Sequence, residues 1–380
     1  MILYELIPFE YLRLTWWLIL GVLLIGFAVM DGFDLGTATL LPFVAKNDTE
    51  RRVVVNTVGP VWEGNQVWFV LGGGAIFAAW PALYAVSFSG FYLAMFLILV
   101  ALIIRPVAFK FRSKRDEAAW RGRWDAALCF SGVVPALIFG VAVGNVLQGV
   151  PFHFDSDLRP FYTGSFFGLL NPFALLCGLV SLAMLVLHGA TWLQIKADGE
   201  PAERARRFGL IAAAVVIVLF AIGGFWVANM DGYQVVGTLD PVGPSNPLRK
   251  EMTTEAGAWL ANYGAQPLLW LVPLVGFGGA ALAMLGLFTR IGALSFLGSK
   301  LSVAGIITTV GVSMFPVILP SSSEPGHSLM VWDASSSHYT LGIMLIATVI
   351  LLPIVLLYTA WVYKVLWGKV RESDVNKDMY

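Results

Sequence analysis

The chain has 380 residues, of which 58% are hydrophobic and 13% are charged, a charged fraction about half that of a soluble domain. The formal net charge is zero, so the composition gives no electrostatic basis for binding nucleic acid. The apolar residues form long uncharged runs, as expected of helices that cross a hydrocarbon core of about 30 Å, and not the alternating pattern of an outer-membrane barrel. The sequence therefore predicts an all-α membrane protein, with residues 1–380 in a single integral membrane domain.

The first apolar run lacks the basic N-terminal region and the small-residue cleavage site of a signal peptide, so it is interpreted as a membrane helix. Residues 62–104 are too long for one crossing, and Pro81 suits the first turn of a new helix. The nine predicted spans lie at about residues 14–42, 62–80, 81–104, 125–148, 165–193, 208–230, 266–289, 301–320 and 340–367. Nine helices are compatible with two four-helix bundles plus one extra helix.

Lysine and arginine are expected in the cytoplasmic connections of a membrane protein. With nine spans, all but four of the 24 lysines and arginines fall on one side of the membrane, and the exceptions are Arg13, Arg159, Arg249 and Lys250. The N-terminus is therefore predicted to be periplasmic and the C-terminus cytoplasmic. On the periplasmic side, residues 240–247 are predicted to form a loop, and residues 255–263 a short amphipathic helix on the membrane surface.

Acidic side chains inside membrane helices are costly and usually face a cavity or a partner. Asp31 and Asp34 are three residues apart in the first span, which puts them on similar faces of the helix. They are predicted to be a proton-handling pair. The alternative is a structural hydrogen-bonding pair at a helix interface, where Gly32 and Gly36 would allow close approach.

Glu63 opens the second span, beside Asn65 and Gln66. The predicted topology puts this polar cluster on the same side of the membrane as Asp34, as a proton entry path from the cytoplasm requires. The alternative is an acid favoured by the positive end of the helix dipole. Asp125, at the predicted start of the fourth span, is explained by an ordinary N-cap, and a place in the proton path is its weaker interpretation.

The remaining polar groups in the spans give weaker indications. Arg105 is interpreted as an arginine that extends to the membrane surface at the end of the third span. Asn145 and Gln148, near a periplasmic helix end, are candidates to hydrogen-bond a partner or a quinone. His188 is the only one of the four histidines well inside a span, so a haem pocket with two protein ligands is hard to build in this chain.

No cysteine or histidine spacing typical of a metal site occurs in the sequence. Cys129 and Cys177 both lie in apolar runs and are interpreted as small buried hydrophobic residues. On composition alone, the protein could equally be interpreted as a secondary transporter, because buried acids and glycines that interrupt helices also suit ion coupling.

Eight short sequence motifs are spread along nearly the whole chain. They are residues 31–36 (DGFDLG), 47–52 (NDTERR), 62–68 (WEGNQVW), 73–81 (GGAIFAAWP), 88–92 (FSGFY), 144–152 (GNVLQGVPF), 329–337 (LMVWDASSS) and 356–361 (LLYTAW). Each is modest alone, but together the sequence resembles subunit II of the cytochrome bd-type ubiquinol oxidases, in their proteobacterial branch.

The resemblance implies the haem-free subunit of a complex in the bacterial inner membrane that oxidises quinol and reduces O2 to water. Subunit I would form a heterodimer with this chain and carry low-spin haem b, high-spin haem b and haem d. A very small accessory subunit, bound lipid and a structural ubiquinone are further partners that the resemblance implies. Protons taken up from the cytoplasm and released outside during quinol oxidation would generate a proton-motive force without a pump.

The family has a carboxylate on the second helix in a cytoplasmic proton path, and this position corresponds to Glu63. The acidic position on the first helix corresponds to Asp34. Many close relatives have histidine at the position of Val61, so a relay through that position is in doubt here. Two alternatives stand beside proton delivery: a scaffold that only stabilises subunit I and binds lipid or quinone, and the secondary transporter.

Overall fold

The structure is a computed structural model, and it describes residues 7–375. The long apolar runs are helical because a helix satisfies its backbone hydrogen bonds within one segment. The helices are α1 (Phe9–Met30), α2 (Gly32–Val44), α3 (Asp48–Val58), α4 (Trp62–Ala79), α5 (Pro81–Gly90), α6 (Tyr92–Phe111), α7 (Ala118–Gln148), α8 (Pro172–Lys196), α9 (Glu200–Asn229), α10 (Ala261–Ala265), α11 (Leu271–Thr289), α12 (Gly292–Met314) and α13 (His338–Val365).

Within the described residues, eight helical segments are long and apolar enough to cross a membrane, and the bent pair α4–α5 adds a ninth crossing if it counts as one span. The first of these segments runs through α1 and α2, which are separated only at Asp31. Helix α2 packs against α7 and α8, α7 packs also against α6, and α1 packs against α4 and α12. Helices α8 and α11 each pack against α9 and α12. Helix α13 packs against α1 and α4.

The second and third predicted spans have different bounds in the structure. A helix does end at Ala79 and another begins at Pro81, but α5 has only ten residues and bends by 120° from α4. The next long helix therefore begins at Tyr92 and not at residue 81, and it extends to Phe111. The chain turns next to Gly90, whose missing side chain leaves room for the ring of Tyr162; an added Cβ would lie 2.6 Å from that ring.

One end of the molecule carries three two-stranded antiparallel ribbons, and this end is called the ribbon end. The strands are β1 (Phe152–Phe154), β2 (Pro160–Tyr162), β3 (Asp231–Val236), β4 (Glu251–Ala256), β5 (Val317–Leu319) and β6 (Leu329–Met330), paired β1–β2, β3–β4 and β5–β6. The amphipathic helix predicted for residues 255–263 is wrong at its start, because Glu255 belongs to β4 and pairs with Gly232. A 3-10 turn at Ala258–Leu260 and the short α10 follow it.

Buried Arg13 holds the loop that the sequence predicts at residues 240–247. Its guanidinium donates to the carbonyl oxygens of Pro241 and Gly243, at 2.6 Å and 3.0 Å. It also donates to the hydroxyls of Ser245 and Ser335. These contacts tie the start of α1 to two distant loops at the ribbon end.

The opposite end, called the basic end, collects the cationic connections. Arg204 pairs with Glu50 at 2.7 Å, Arg290 with Glu203 at 3.5 Å and Lys369 with Asp198 at 3.6 Å. These pairs join the segments after α2, α8, α11 and α13, which the charge distribution predicts to share one side of the membrane. That this side is the cytoplasm remains a prediction.

Helix α2 lies between α7 and α8, at contacts that only glycine allows. A Cβ at Gly36 would overlap the Leu185 carbonyl oxygen of α8, and a Cβ at Gly132 of α7 would overlap that of Leu35. The close approach expected at Gly36 is therefore confirmed. It brings the acid-bearing helix into the centre of the molecule, since small residues let membrane helices pack backbone to backbone.

The substitution Gly36→Ala is expected to destabilise the protein by about 1–3 kcal/mol, because the new methyl group meets a backbone carbonyl that cannot move aside. Gly21→Ala in α1 is the matched control, since a Cβ there has no neighbour within 4 Å. Thermal unfolding of both variants in detergent measures the difference. Equal melting temperatures for the two variants would contradict the close packing of α2 on α8.

Candidate functional site

The first element of the candidate site is a buried ion pair between α1–α2 and α6. Asp31 lies at the junction of α1 and α2, and its two carboxylate oxygens accept hydrogen bonds from Arg105 at 2.5 Å and 3.0 Å. Asp31 is fully buried and Arg105 is 2% exposed. The expectation that Arg105 extends to the membrane surface is wrong: the side chain turns inward because a buried carboxylate offers a bidentate partner.

The second element is a chain of hydrogen bonds that ends on Asp34. Tyr363 of α13 donates its hydroxyl to Asn65 Oδ1 at 2.7 Å, and Asn65 Nδ2 donates to Asp34 Oδ2 at 2.7 Å. Asp34 is 3% exposed and Asn65 is 2% exposed. The sequence analysis singled out Asn65 but did not single out Tyr363.

The charges of this cluster do not cancel. Asp31 and Arg105 neutralise each other, whereas Asp34 has an amide as its partner and its Oδ1 has no hydrogen-bond partner among the described residues. An isolated carboxylate is costly in a medium of low dielectric constant, and a bound proton removes that cost. Asp34 is therefore the member of the predicted pair that is suited to hold a proton, and Asp31 is the member held in an ion pair.

Trp62 fixes the position of the start of α4. Its ring stacks on Phe109 of α6 at a centroid distance of 5.4 Å, and the Arg105 guanidinium lies 6.0 Å from the Trp62 ring centroid. The two hydrogen bonds of Asn65 add the contacts to α2 and α13. The entry to α4 is thus held against three other helices, next to the buried ion pair.

Glu63 points away from the interior of the protein, unlike Asn65 on the same helix. It is exposed, on the face of α4 that also carries Val67 and Val70, which are 43% and 67% exposed. Asn65, two residues along the helix, faces inward. The structure therefore brings Asn65 to Asp34 but does not bring Glu63 to either acid of α1–α2. Within the described chain Glu63 has no ion-pair partner.

Asp125 is not an N-cap, because α7 begins at Ala118 and Asp125 is already well inside the helix. Its carboxylate accepts from Arg112 at 2.6 Å and from Arg51 at 2.9 Å. The prediction of a cap is wrong because the helix extends beyond the apolar run, where arginines from two other segments neutralise the buried acid.

Asp48 belongs to the same network at the basic end, with ion pairs to Arg52, Arg112 and Arg121. Burial acts to raise the pKa of Asp48, but hydrogen bonds from Arg52 and Arg112 and the positive charge of Arg121 together lower it below its usual value. This network joins α3 and α7 to the turn that follows α6. It lies at the basic end and holds α3, the segment that leads into α4.

Asn145 is engaged within the chain. Its amide nitrogen donates to the carbonyl oxygens of Val141 and Leu169, both at 2.8 Å, and its side-chain oxygen accepts from Asn171 at 3.0 Å. The backbone carbonyl oxygen of Gln148 accepts from Tyr233 at 3.4 Å. A quinone contact at Asn145 and Gln148 remains a prediction, and at Asn145 a quinone would have to compete with these bonds.

His188 of α8 is fully buried, with hydrogen-bond partners on α1 and α12. Its Nε2 bonds the Val29 carbonyl oxygen at 2.9 Å and its Nδ1 bonds the Ser299 hydroxyl at 2.8 Å. Both ring nitrogens are therefore in use, which argues against His188 as a haem ligand. Among the described residues, no group of three or more histidine, cysteine, aspartate or glutamate side chains could hold a metal ion. Cys129 and Cys177 are free thiols that are only partly buried.

Comparison with known proteins gives consistent matches along nearly the whole chain. A family model described as cytochrome bd terminal oxidase subunit II matches residues 12–366. The "Probable cytochrome oxidase subunit 2" of Haemophilus influenzae and the "Cytochrome bd-I ubiquinol oxidase subunit 2" of Escherichia coli K12 are each 49% identical over 376 residues, covering 99% of both chains. The corresponding Bacillus subtilis protein is 31% identical over 362 residues, covering 94% of this chain and 97% of that protein.

A solved structure of bd oxidase from Geobacillus thermodenitrificans has the same fold. It matches with a TM-score of 0.70 at 14% sequence identity, and the match covers 93% of this chain and 98% of that chain.

The ion pair between Asp31 and Arg105 gives a test of the site's framework. Arg105→Met or Asp31→Leu alone is expected to lower stability by about 3–5 kcal/mol, because each leaves an unpaired buried charge. The double substitution removes both charges and is expected to recover most of that loss. Thermal unfolding of the purified variants measures this coupling. A double variant no more stable than the worse single variant would argue against the pair.

Proposed function

The chain belongs to the family of cytochrome bd terminal oxidase subunits II, and we propose that it delivers cytoplasmic protons to the oxidase and stabilises its haem-bearing partner. It is a multi-pass protein of the bacterial inner membrane and a subunit of an oxidoreductase complex. In this proposal subunit I binds quinol and carries low-spin haem b, high-spin haem b and haem d. Reduction of O2 to water there consumes protons, which have to cross part of the membrane.

Three of the four histidines in the described part of the chain are already engaged in hydrogen bonds and do not suit haem ligation. Both nitrogens of His188 are hydrogen-bonded, His327 accepts from the Phe154 amide through Nδ1, and His338 bonds the Ile7 carbonyl oxygen through Nε2. His327 and His338 also lie at the ribbon end. This supports the assignment of all haems to subunit I, and no step of the reaction is assigned to haem on this chain.

The observation that carries the proposal is that Glu63, an unpaired acid on an outward face of the protein, lies close to the depth of the buried acid Asp34. Asp34 lies ten residues before the end of α2, which is about 15 Å of helix from the basic end. Asn65 bonds Asp34, so Glu63, two residues before Asn65, lies close to the same depth. An exposed carboxylate at this depth would be costly against lipid.

We therefore place subunit I over the face of α4 that carries Glu63. In this arrangement Glu63 takes up protons near the contact between the subunits and passes them to the partner. Asp34 acts as the buried acid that holds a proton beside this path. Asp31 keeps Arg105 in place, and Asp125 belongs to the charge network at the basic end.

The first test is the composition of the complex. Material purified through a tag on this chain from native membranes is expected to show b-type and d-type haem bands in a reduced-minus-oxidised absorption spectrum, because subunit I copurifies. Bands of b-type haem alone would still support an oxidase, since some relatives replace haem d by haem b. A colourless and intact preparation would contradict the oxidase complex and favour a transporter.

The second test replaces Glu63. Glu63→Gln is expected to lower O2 consumption by about tenfold or more at unchanged haem content, because glutamine cannot exchange a proton at this position. Glu63→Asp retains a carboxyl group and is expected to keep most of the activity. Quinol-dependent O2 uptake per haem measures both variants.

Glu255→Gln is the matched control, because Glu255 is an exposed glutamate at the ribbon end. It is expected to leave O2 consumption unchanged. Full turnover in Glu63→Gln would reject proton delivery through Glu63 and leave the scaffold as the function of this chain.

A further inference from the structure

A cavity of about 210 Å³ lies at the basic end, under the segment that follows α13. Val61, Trp192 and Tyr363 form its inner wall, and Trp367 and Lys369 lie at its outer part. The covering segment is fixed to the end of α8, where the Val370 amide donates to the Lys196 carbonyl oxygen at 2.7 Å. Trp367 is 71% exposed, so the cavity borders the solvent at this end.

The inner wall of the cavity leads directly to the buried acid. The Tyr363 ring is held edge-on by Trp192 at a centroid distance of 6.1 Å, and its hydroxyl donates to Asn65. Asn65 in turn donates to Asp34. Two hydrogen bonds of 2.7 Å thus connect a residue of the cavity wall with the acid suited to hold a proton.

This chain of hydrogen bonds is a poor proton conductor. A hydroxyl or a water can accept a proton on the atom from which it donates one, but the amide of asparagine accepts through oxygen and donates through nitrogen. A proton that arrived at Asn65 Oδ1 would have to leave from Nδ2, which requires an unfavourable tautomer. Val61, beside Tyr363 in the wall, has no group that titrates.

We propose that Tyr363 and Asn65 form a seal that keeps cytoplasmic water in the cavity away from Asp34. The inference rests on the proposed function, because Asp34 needs such isolation only if its proton belongs to the oxidase. The seal closes a short route from the basic end to Asp34, so that protons follow the route through Glu63. Tyr363 and Asn65 are positioning residues and do not themselves carry protons.

Hydrogen–deuterium exchange of the Asp34 carboxyl group tests the seal in the intact oxidase complex. The C=O stretching band of the protonated acid is identified in the infrared spectrum as the band lost in Asp34→Asn. Its shift after transfer to D2O measures how fast water reaches Asp34. Tyr363→Phe, which removes one hydroxyl, is expected to accelerate this exchange by about tenfold or more, and Asn65→Ala by a larger factor.

Tyr358→Phe is the matched control, because Tyr358 is on the same helix and is 64% exposed. It is expected to exchange like the unmodified complex, and haem content reports intact assembly in every variant. The acceleration in Tyr363→Phe is expected to persist when Glu63→Gln is added, because the new access runs through the cavity.

Three results would overturn the seal. They are an unchanged exchange rate in both Tyr363→Phe and Asn65→Ala, an acceleration that disappears when Glu63→Gln is added, and the absence of any carboxyl band lost in Asp34→Asn. The exchange rate does not depend on turnover. Loss of the seal inference and loss of the proposed role of Glu63 therefore appear in different measurements.

Discussion

The arrangement of the candidate site depends on the neutralisation of Arg105 by Asp31. A guanidinium in the interior of a membrane protein requires a carboxylate with matching geometry, and the bidentate contact to Asp31 supplies it. That pair fixes α6 against the junction of α1 and α2 and supports the Trp62 ring at the start of α4. Because one acid is used in this way, the second acid, Asp34, is left without a cation.

Five acids in and around the candidate site therefore fall into two groups with different partners. Asp31, Asp48 and Asp125 are held by arginines and act as structural charges. Among the described residues, Asp34 and Glu63 have no cation as partner, and Asp34 lies in the interior whereas Glu63 lies on an outward face. The proposed proton delivery needs carboxyl groups that can gain and lose a proton, and of these five acids Asp34 and Glu63 are the two without an ion pair that would hold them charged.

The sequence predicted those structural features that depend on a single residue or on its neighbours in the chain. The helix end at Ala79 follows from Pro81, and the close approach of α2 and α8 follows from Gly36. The features that were missed depend on distant partners. Arg105 pairs with a residue 74 positions away, and Tyr363 bonds one 298 positions away, so neither contact leaves a pattern in the adjacent sequence. The ribbons were missed because strands of two to six residues are too short for a periodic signal.

The contacts of Arg13 have a consequence for the order in which the protein is assembled. Its partners at the ribbon end lie 228 to 322 residues later in the chain. At a synthesis rate of about 5–20 residues per second, the ribosome reaches them roughly 10–60 s after Arg13. The first helix is therefore made early, but Arg13 gains the last of these partners only after the loop that contains Ser335 has been synthesised.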